Sequence, residues 1–256
     1  MMRFAQKALV FAAAVLLSSS AFAAINFSDN FESYSLYVGP GYQGDIGGGW
    51  LVFANVFGDY PGCSQYWYGY GPFPAPNKDS GFSNIAAGST GQALNVFSDY
   101  DNPDHGNGAC LETSVFQETV FSAADAGTYT FRFDTQVPAP LGADVSTDGF
   151  IKLLDPNNNY NADVFLTVPT ITAGTKSLDV MLDASADGKI LQWGFSTVAS
   201  NYEASGRLYD NASFALKNTG SYQGYEGVPI PLWAFFAMAG MLALVGGSKL
   251  RNRRKA

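Results

Sequence analysis

The sequence predicts an all-β protein, a two-sheet antiparallel β-sandwich of the jelly-roll kind, flanked by an N-terminal signal helix and a C-terminal transmembrane helix. Three observations carry this. Long amphipathic helical patterns are absent from the middle of the chain, where short apolar or alternating runs recur between Gly, Asp, Asn and Pro. The 256 residues include 28 Gly, 20 Phe and 14 Tyr but only 14% charged residues, against about 25% in an average globular chain. The two segments with the length and apolarity of a helix lie at the termini.

Residues 1–23 have the layout of a secretory signal. Arg3 and Lys7 flank the start of an apolar run, 8–17, and Ala21-Phe22-Ala23 forms a small-x-small cleavage site, so the mature chain begins at Ala24. Ten apolar residues are too few to span a hydrocarbon core of about 30 Å.

The body, 24–227, has the size of one domain. Strands are expected at 25–31, 50–56, 93–98, 113–121, 127–137, 149–154, 162–168, 177–182, 190–197 and 207–216. The clearest is 127–137, where Tyr129, Phe131 and Phe133 alternate with Thr130, Arg132 and Asp134, so aromatics take one face and polar groups the other. Turn chemistry such as Asp155-Pro156-Asn157-Asn158 and Asp187-Gly188 separates the strands. About ten strands in about 200 residues suit a sandwich.

Cys63 and Cys110 both lie in the exported body, and an oxidising compartment makes a disulfide between them the expectation. Between Asp59 and Asn77 stand Tyr60, Tyr66, Trp67, Tyr68, Tyr70 and Phe73, interleaved with Gly and Pro. That interleaving argues for a loop. The rings stack on sugar faces as a ligand surface, pack on one another and on the disulfide as a small core, or contact a partner. A second loop, Asp99-Tyr100-Asp101-Asn102-Pro103-Asp104-His105, reads as a solvated acidic turn with a surface histidine; its spacing is not that of an EF-hand.

Residues 228–256 close the chain. No charge occurs over 228–247, twenty residues that at about 1.5 Å each can cross a bilayer, and Lys249, Arg251, Arg253, Arg254 and Lys255 follow directly. Cations there hold their side in the cytoplasm and leave the body outside.

Of the 14 cations, two lie in the signal and five in the tail, leaving seven in the body against all 22 acids, a net charge of −15. An acidic body repels polyanions, which excludes a nucleic-acid partner, and suits Ca²⁺, a hard cation bound by oxygen. A single His excludes a multi-His metal site.

The tail resembles the PEP-CTERM sorting signals of Gram-negative bacteria. Val228-Pro229-Ile230-Pro231 stands at the motif, followed by Leu232-Trp233, the apolar span and the basic cluster, with Ile230 where that class has Glu. The resemblance implies an exosortase-type processing enzyme as partner and release or re-anchoring at the cell surface; a plain membrane anchor is the alternative. Near the start of the body, Asn26-Phe27-Ser28-Asp29-Asn30-Phe31-Glu32, and near its end, Leu208-Tyr209-Asp210-Asn211-Ala212-Ser213-Phe214, resemble the opening and closing strands of galactose-binding-like jelly rolls, which include many carbohydrate-binding modules. That resemblance implies that the first and last strands pair, and that Glu32 and Asp210 hold a structural Ca²⁺; the alternative is that both cap turns and face water.

No Ser nucleophile elbow, HExxH or P-loop is present. The expectation is a non-enzyme at the cell surface or in the exopolysaccharide matrix, binding extracellular polysaccharide as a carbohydrate-binding-like module. A structural or adhesive matrix protein is the alternative, and a glycan-degrading jelly-roll enzyme the third reading.

Overall fold

A computed structural model of the chain describes residues 24–36, 47–75, 83–138 and 140–217. The segment 1–23, expected to be a signal, and the segment 228–256, with Val228-Pro229-Ile230-Pro231, lie outside the described residues. Twelve strands follow one another: β1 (Asn26–Asp29), β2 (Leu51–Gly58), β3 (Gln65–Pro74), β4 (Ser83–Ala87), β5 (Gln92–Val96), β6 (Cys110–Val120), β7 (Gly127–Gln136), β8 (Ser146–Asp155), β9 (Asn161–Pro169), β10 (Gly174–Leu182), β11 (Ile190–Ser200) and β12 (Arg207–Leu216).

All ten expected strands are present, and β3 and β4 are additional. β3 corrects the reading of the aromatic segment as a loop. It lies at the edge of its sheet and pairs only with β2, so Gly and Pro remove no ladder bond on its open side. The register slips between Val52/Phe73 and Ala54/Tyr70, and Pro72 falls in that irregularity.

One sheet has the order β10-β7-β12-β5-β4, with β1 also on β12; the other has the order β3-β2-β6-β11-β8-β9. β1 pairs antiparallel with Ala212–Ala215 while β5 takes Arg207–Tyr209, so the first and last strands do meet. β12 bulges between Asp210 and Ser213, where Asn211 takes a left-handed φ of 50°.

Inward aromatics hold the sheets together. Trp193 stacks on Phe214 with centroids 4.5 Å apart, Phe195 on Tyr209 at 3.8 Å, and Phe133 meets Phe195 edge-on at 5.0 Å. Each such ring contributes about 1.5–3 kcal/mol by leaving water. Asp29 fastens the entry of the chain: its carboxylate accepts from Trp50 Nε1 (2.8 Å), the Tyr34 hydroxyl (2.6 Å) and the Phe31 amide (2.8 Å). Cys63 and Cys110 are bridged as expected, tying the β2–β3 turn to the start of β6.

Candidate functional site

The two sheets turn different surfaces outward. The β7 sheet presents Thr130, Arg132 and Asp134, with Thr175, Ser177 and Asp179 beside them on β10. The β6 sheet carries aromatic rings on its outer face as well as its inner one, set among polar side chains. Its register arranges the outer side chains in rows. Phe53, Ser114, Ser196 and Asp148 stand side by side across β2, β6, β11 and β8. The next row is Leu51, Phe116, Gly194 and Phe150, and the next is Glu118, Gln192, Lys152 and Phe165.

Gly194 sets the floor. A Cβ there would lie 2.2 Å from the Val115 carbonyl oxygen and 2.6 Å from the Phe116 Cα, so only glycine fits. Phe116 and Phe150 approach each other over it, centroids 6.5 Å apart and both buried. Lys152 Nζ lies 4.6 Å from the centre of the Phe150 ring and 5.0 Å from that of Phe165, bracing both rings. One wall is the β8–β9 turn, where Asn159 and Tyr160 are both left-handed (φ 52° and 58°) and the Tyr160 side chain is left in solvent. Pro72 and Phe53 form the other. Between them a groove of about 620 Å³ runs diagonally from Asn55 to Leu154 and Tyr160.

Polar groups in and beside the groove are held in place. Gln192 Nε2 donates to Glu118 (2.6 Å), and Asn55 Nδ2 donates to Glu112 (2.7 Å). Burial, and then the charge of Glu112, push the Asp148 carboxyl above its ordinary range. Exposed ring faces beside oriented amides and carboxylates match a ligand that alternates C–H faces with hydroxyls.

The aromatic segment singled out in the sequence divides. None of its six aromatic residues lines the groove, although Pro72 between them does. Tyr66 is on the same outer face, edge-on to Phe57 at 5.8 Å. Trp67 covers Gly58, and Phe73 packs against the core. The Tyr60 hydroxyl donates to Asp144. Tyr70 donates to Asp99 (2.6 Å) and Tyr68 to Asp104 (2.6 Å), which pins the acidic loop to β3. Tyr66, Trp67 and Tyr68 remain exposed.

That loop is less solvated than the sequence implies. Asp99 is buried, and His105, expected at the surface, is 0% exposed, stacked between Tyr100 and Tyr202. Its Nδ1 accepts from the Tyr202 amide (2.9 Å), so the ring proton sits on Nε2, which faces Ser98 Oγ at 2.8 Å. In a nucleophile–base pair the imidazole accepts from the hydroxyl; here it donates. Burial is the largest influence on this imidazole and lowers its pKa. With the folded value below the unfolded one of about 6.5, stability is full above that pH and falls as acid charges the unfolded chain first. The melting temperature is therefore expected to drop more steeply from about pH 7 to about pH 5 in the native protein than in His105→Gln; equal slopes would contradict this.

Glu32 and Asp210 come to neighbouring positions. Asp210 is buried, and its carboxyl is pushed up by burial first and then by Glu32, Asp134 and Asp29. Its Oδ1 accepts from the Asn211 amide (2.7 Å); Glu32 is exposed and accepts from the Gln92 amide (2.9 Å). Neither joins an ion pair among the described residues, where Lys189–Asp163 and Lys217–Asp179 occur. The donor chemistry fits a hard cation. Among the described residues no three His, Cys, Asp or Glu side chains converge on a metal position, so backbone carbonyls or water would have to complete the shell.

No family model and no curated protein match the chain. Solved structures similar to it include the CBM22-1 xylan-binding domain of Paenibacillus barcinonensis Xyn10C, at 10% identity, covering 76% of this chain and 95% of that one, TM-score 0.40. The C-terminal family 22 carbohydrate binding module of Clostridium thermocellum Xyn10B is another, at 13% identity over 76% of this chain and 94% of that one, TM-score 0.36. The enzymatically active domain of bacteriophage CBA120 tailspike protein 4 is a third, at 12% identity over 66% and 20%, TM-score 0.37. What those domains bind or cleave is a property of those domains.

Proposed function

We propose that the chain is an exported, non-catalytic module that binds extracellular polysaccharide at the cell surface or in the exopolysaccharide matrix. Segment 1–23 directs export. Segment 228–256 holds the chain in the inner membrane until an exosortase-type enzyme processes it. The observation that supports binding is the groove lined by Phe53, Pro72, Phe116 and Tyr160, with Tyr160 exposed in it and Phe165 exposed beside it. A body of net charge −15 favours a neutral glycan over an acidic one. A glycan array with the purified protein is expected to show selective retention of a neutral polysaccharide; a flat array overturns the proposal.

Adhesion without a specific glycan is the second reading. The open edge of β3, with Tyr66, Trp67 and Tyr68 exposed, favours it. Concentration-dependent self-association in sedimentation, together with a flat array, would select it. Hydrolysis is the third reading: Asp148 with its raised pKa beside Glu112 has the character of an acid–base pair. Release of reducing ends that is lost in Asp148→Asn would overturn the non-catalytic reading.

A structural Ca²⁺ held by Glu32 and Asp210 belongs to the same proposal. Saturating Ca²⁺ is expected to raise the melting temperature by about 5–10 °C, from a gain of about 2.7 kcal/mol at a hundred times Kd. Asp210→Asn relieves a crowded buried carboxylate, so without Ca²⁺ it is expected to melt at or above the native protein, and with Ca²⁺ to gain nothing. Absence of both heat and thermal shift in a Ca²⁺ titration would contradict the site.

A further inference from the structure

The interior of the sandwich is not apolar throughout. Arg207 opens β12 on the inward face that Tyr209 shares, and it is 1% exposed. Its Nε and Nη1 have no hydrogen-bond partner, and it joins no ion pair among the described residues. Trp193 faces Phe214 and Phe195 faces Tyr209 across the sandwich, and beyond them the next inward positions are Thr197 on β11 and Arg207 on β12. Thr197 lies between Thr113 and Thr147 across its own sheet. The hydroxyls of Thr197 and Thr113 are buried without partners, as is that of Thr135 on β7.

A guanidinium cannot shed its charge by losing a proton, and a lone buried charge is strongly unfavourable. The unpartnered inward polar groups at this end of the sandwich, Thr197, Thr113 and Thr135, are hydroxyls, which can donate or accept but carry no counter-charge. Water would supply an acceptor; only an anion supplies an acceptor and a negative charge together. A monatomic anion supplies both in the smallest volume. We infer that this buried layer, Arg207 against Thr197 and Thr113, binds a halide, chloride in solution. The site is on the opposite side of the β6 sheet from the groove and does not depend on it.

The test is thermal melting of the purified full chain at fixed pH and ionic strength, with chloride exchanged for gluconate. Chloride is expected to raise the melting temperature saturably, by about 5 °C or more at a hundred times Kd, and bromide to replace it. Arg207→Met keeps the stem and removes the charge, and is expected to abolish the dependence. Should that variant not fold, Thr197→Val is expected to move the midpoint to severalfold higher chloride. Crystals grown in bromide are expected to show an anomalous peak beside Arg207. Equal melting in chloride and gluconate, an unchanged dependence in Thr197→Val, or density at Arg207 with no bromide signal would each overturn the inference.

Discussion

Tyr160→Ala and Phe165→Ala are each expected to weaken polysaccharide binding by about tenfold or more, with the melting temperature moved by less than about 2 °C. These side chains are 60% and 56% exposed, so truncation removes little from the core. Tyr160 is carried by a turn, and Phe165 faces outward on the edge strand β9, so neither sits inside the sandwich. What each substitution removes is a ring face. The loss of about 1.4 kcal/mol per tenfold is the scale of a central aromatic contact at a binding surface. Affinity electrophoresis against the polysaccharide selected on the array checks it. Trp67→Ala is the internal control, because Trp67 covers Gly58 at the sheet edge, whereas Tyr160 lines the groove and Phe165 flanks the lining Lys152. Binding lost in Trp67→Ala but kept in Tyr160→Ala would move the site to the β3 edge.

Replacing both cysteines by Ser is expected to cost about 4 kcal/mol, the entropy of closing a loop of this length in the unfolded chain, and about 10 °C in melting temperature. The bridge closes 47 residues that contain all of β3, β4 and β5, three of the twelve strands. It also acts at a sheet edge. β3 pairs with β2 on one side only, and is held besides by Phe73 and Tyr70 against the core and by hydrogen bonds to the acidic loop, Tyr68–Asp104 and Tyr70–Asp99 among them. Denaturant unfolding of native protein and variant measures the difference, and hydrogen exchange is expected to rise first in β3 and in the 99–106 loop. A loss below about 1 kcal/mol would show that the edge keeps its place without the bridge.

The legible part of this molecule was its local alternation. Phe131 and Phe133 against Arg132 and Asp134 declared one strand, and the same arithmetic placed ten of the twelve. β3 was hidden because Gly69, Gly71, Pro72 and Pro74 are breakers by local chemistry; what makes them admissible is an edge position, and edges are defined only once strands have neighbours. His105 was misplaced for a related reason. A Pro- and Asp-rich loop is polar in sequence, yet Tyr100 and Tyr202, the latter far along the chain, close over the ring from both sides.

The groove had a trace in the sequence. Phe53, Phe116 and Phe150 fall on the parity opposite to the core residues Val52, Val115 and Ile151, so their strands carry a ring on the outer face as well. That excess announces a covered or ligand-binding outer face without saying which. The dense run of Tyr and Trp drew attention to β3 instead, and part of it went into packing.

By itself the sequence determined the class of fold, the cysteine pair and the acidic body, because each depends on composition or on residues close along the chain. The tertiary structure alone decided which outer face is aromatic, where Gly194 lets Phe116 and Phe150 meet, and that Arg207 is sealed inside. Those are matters of register between strands as distant in the chain as β2 and β11, and pairing energy across such separations leaves no local pattern to read.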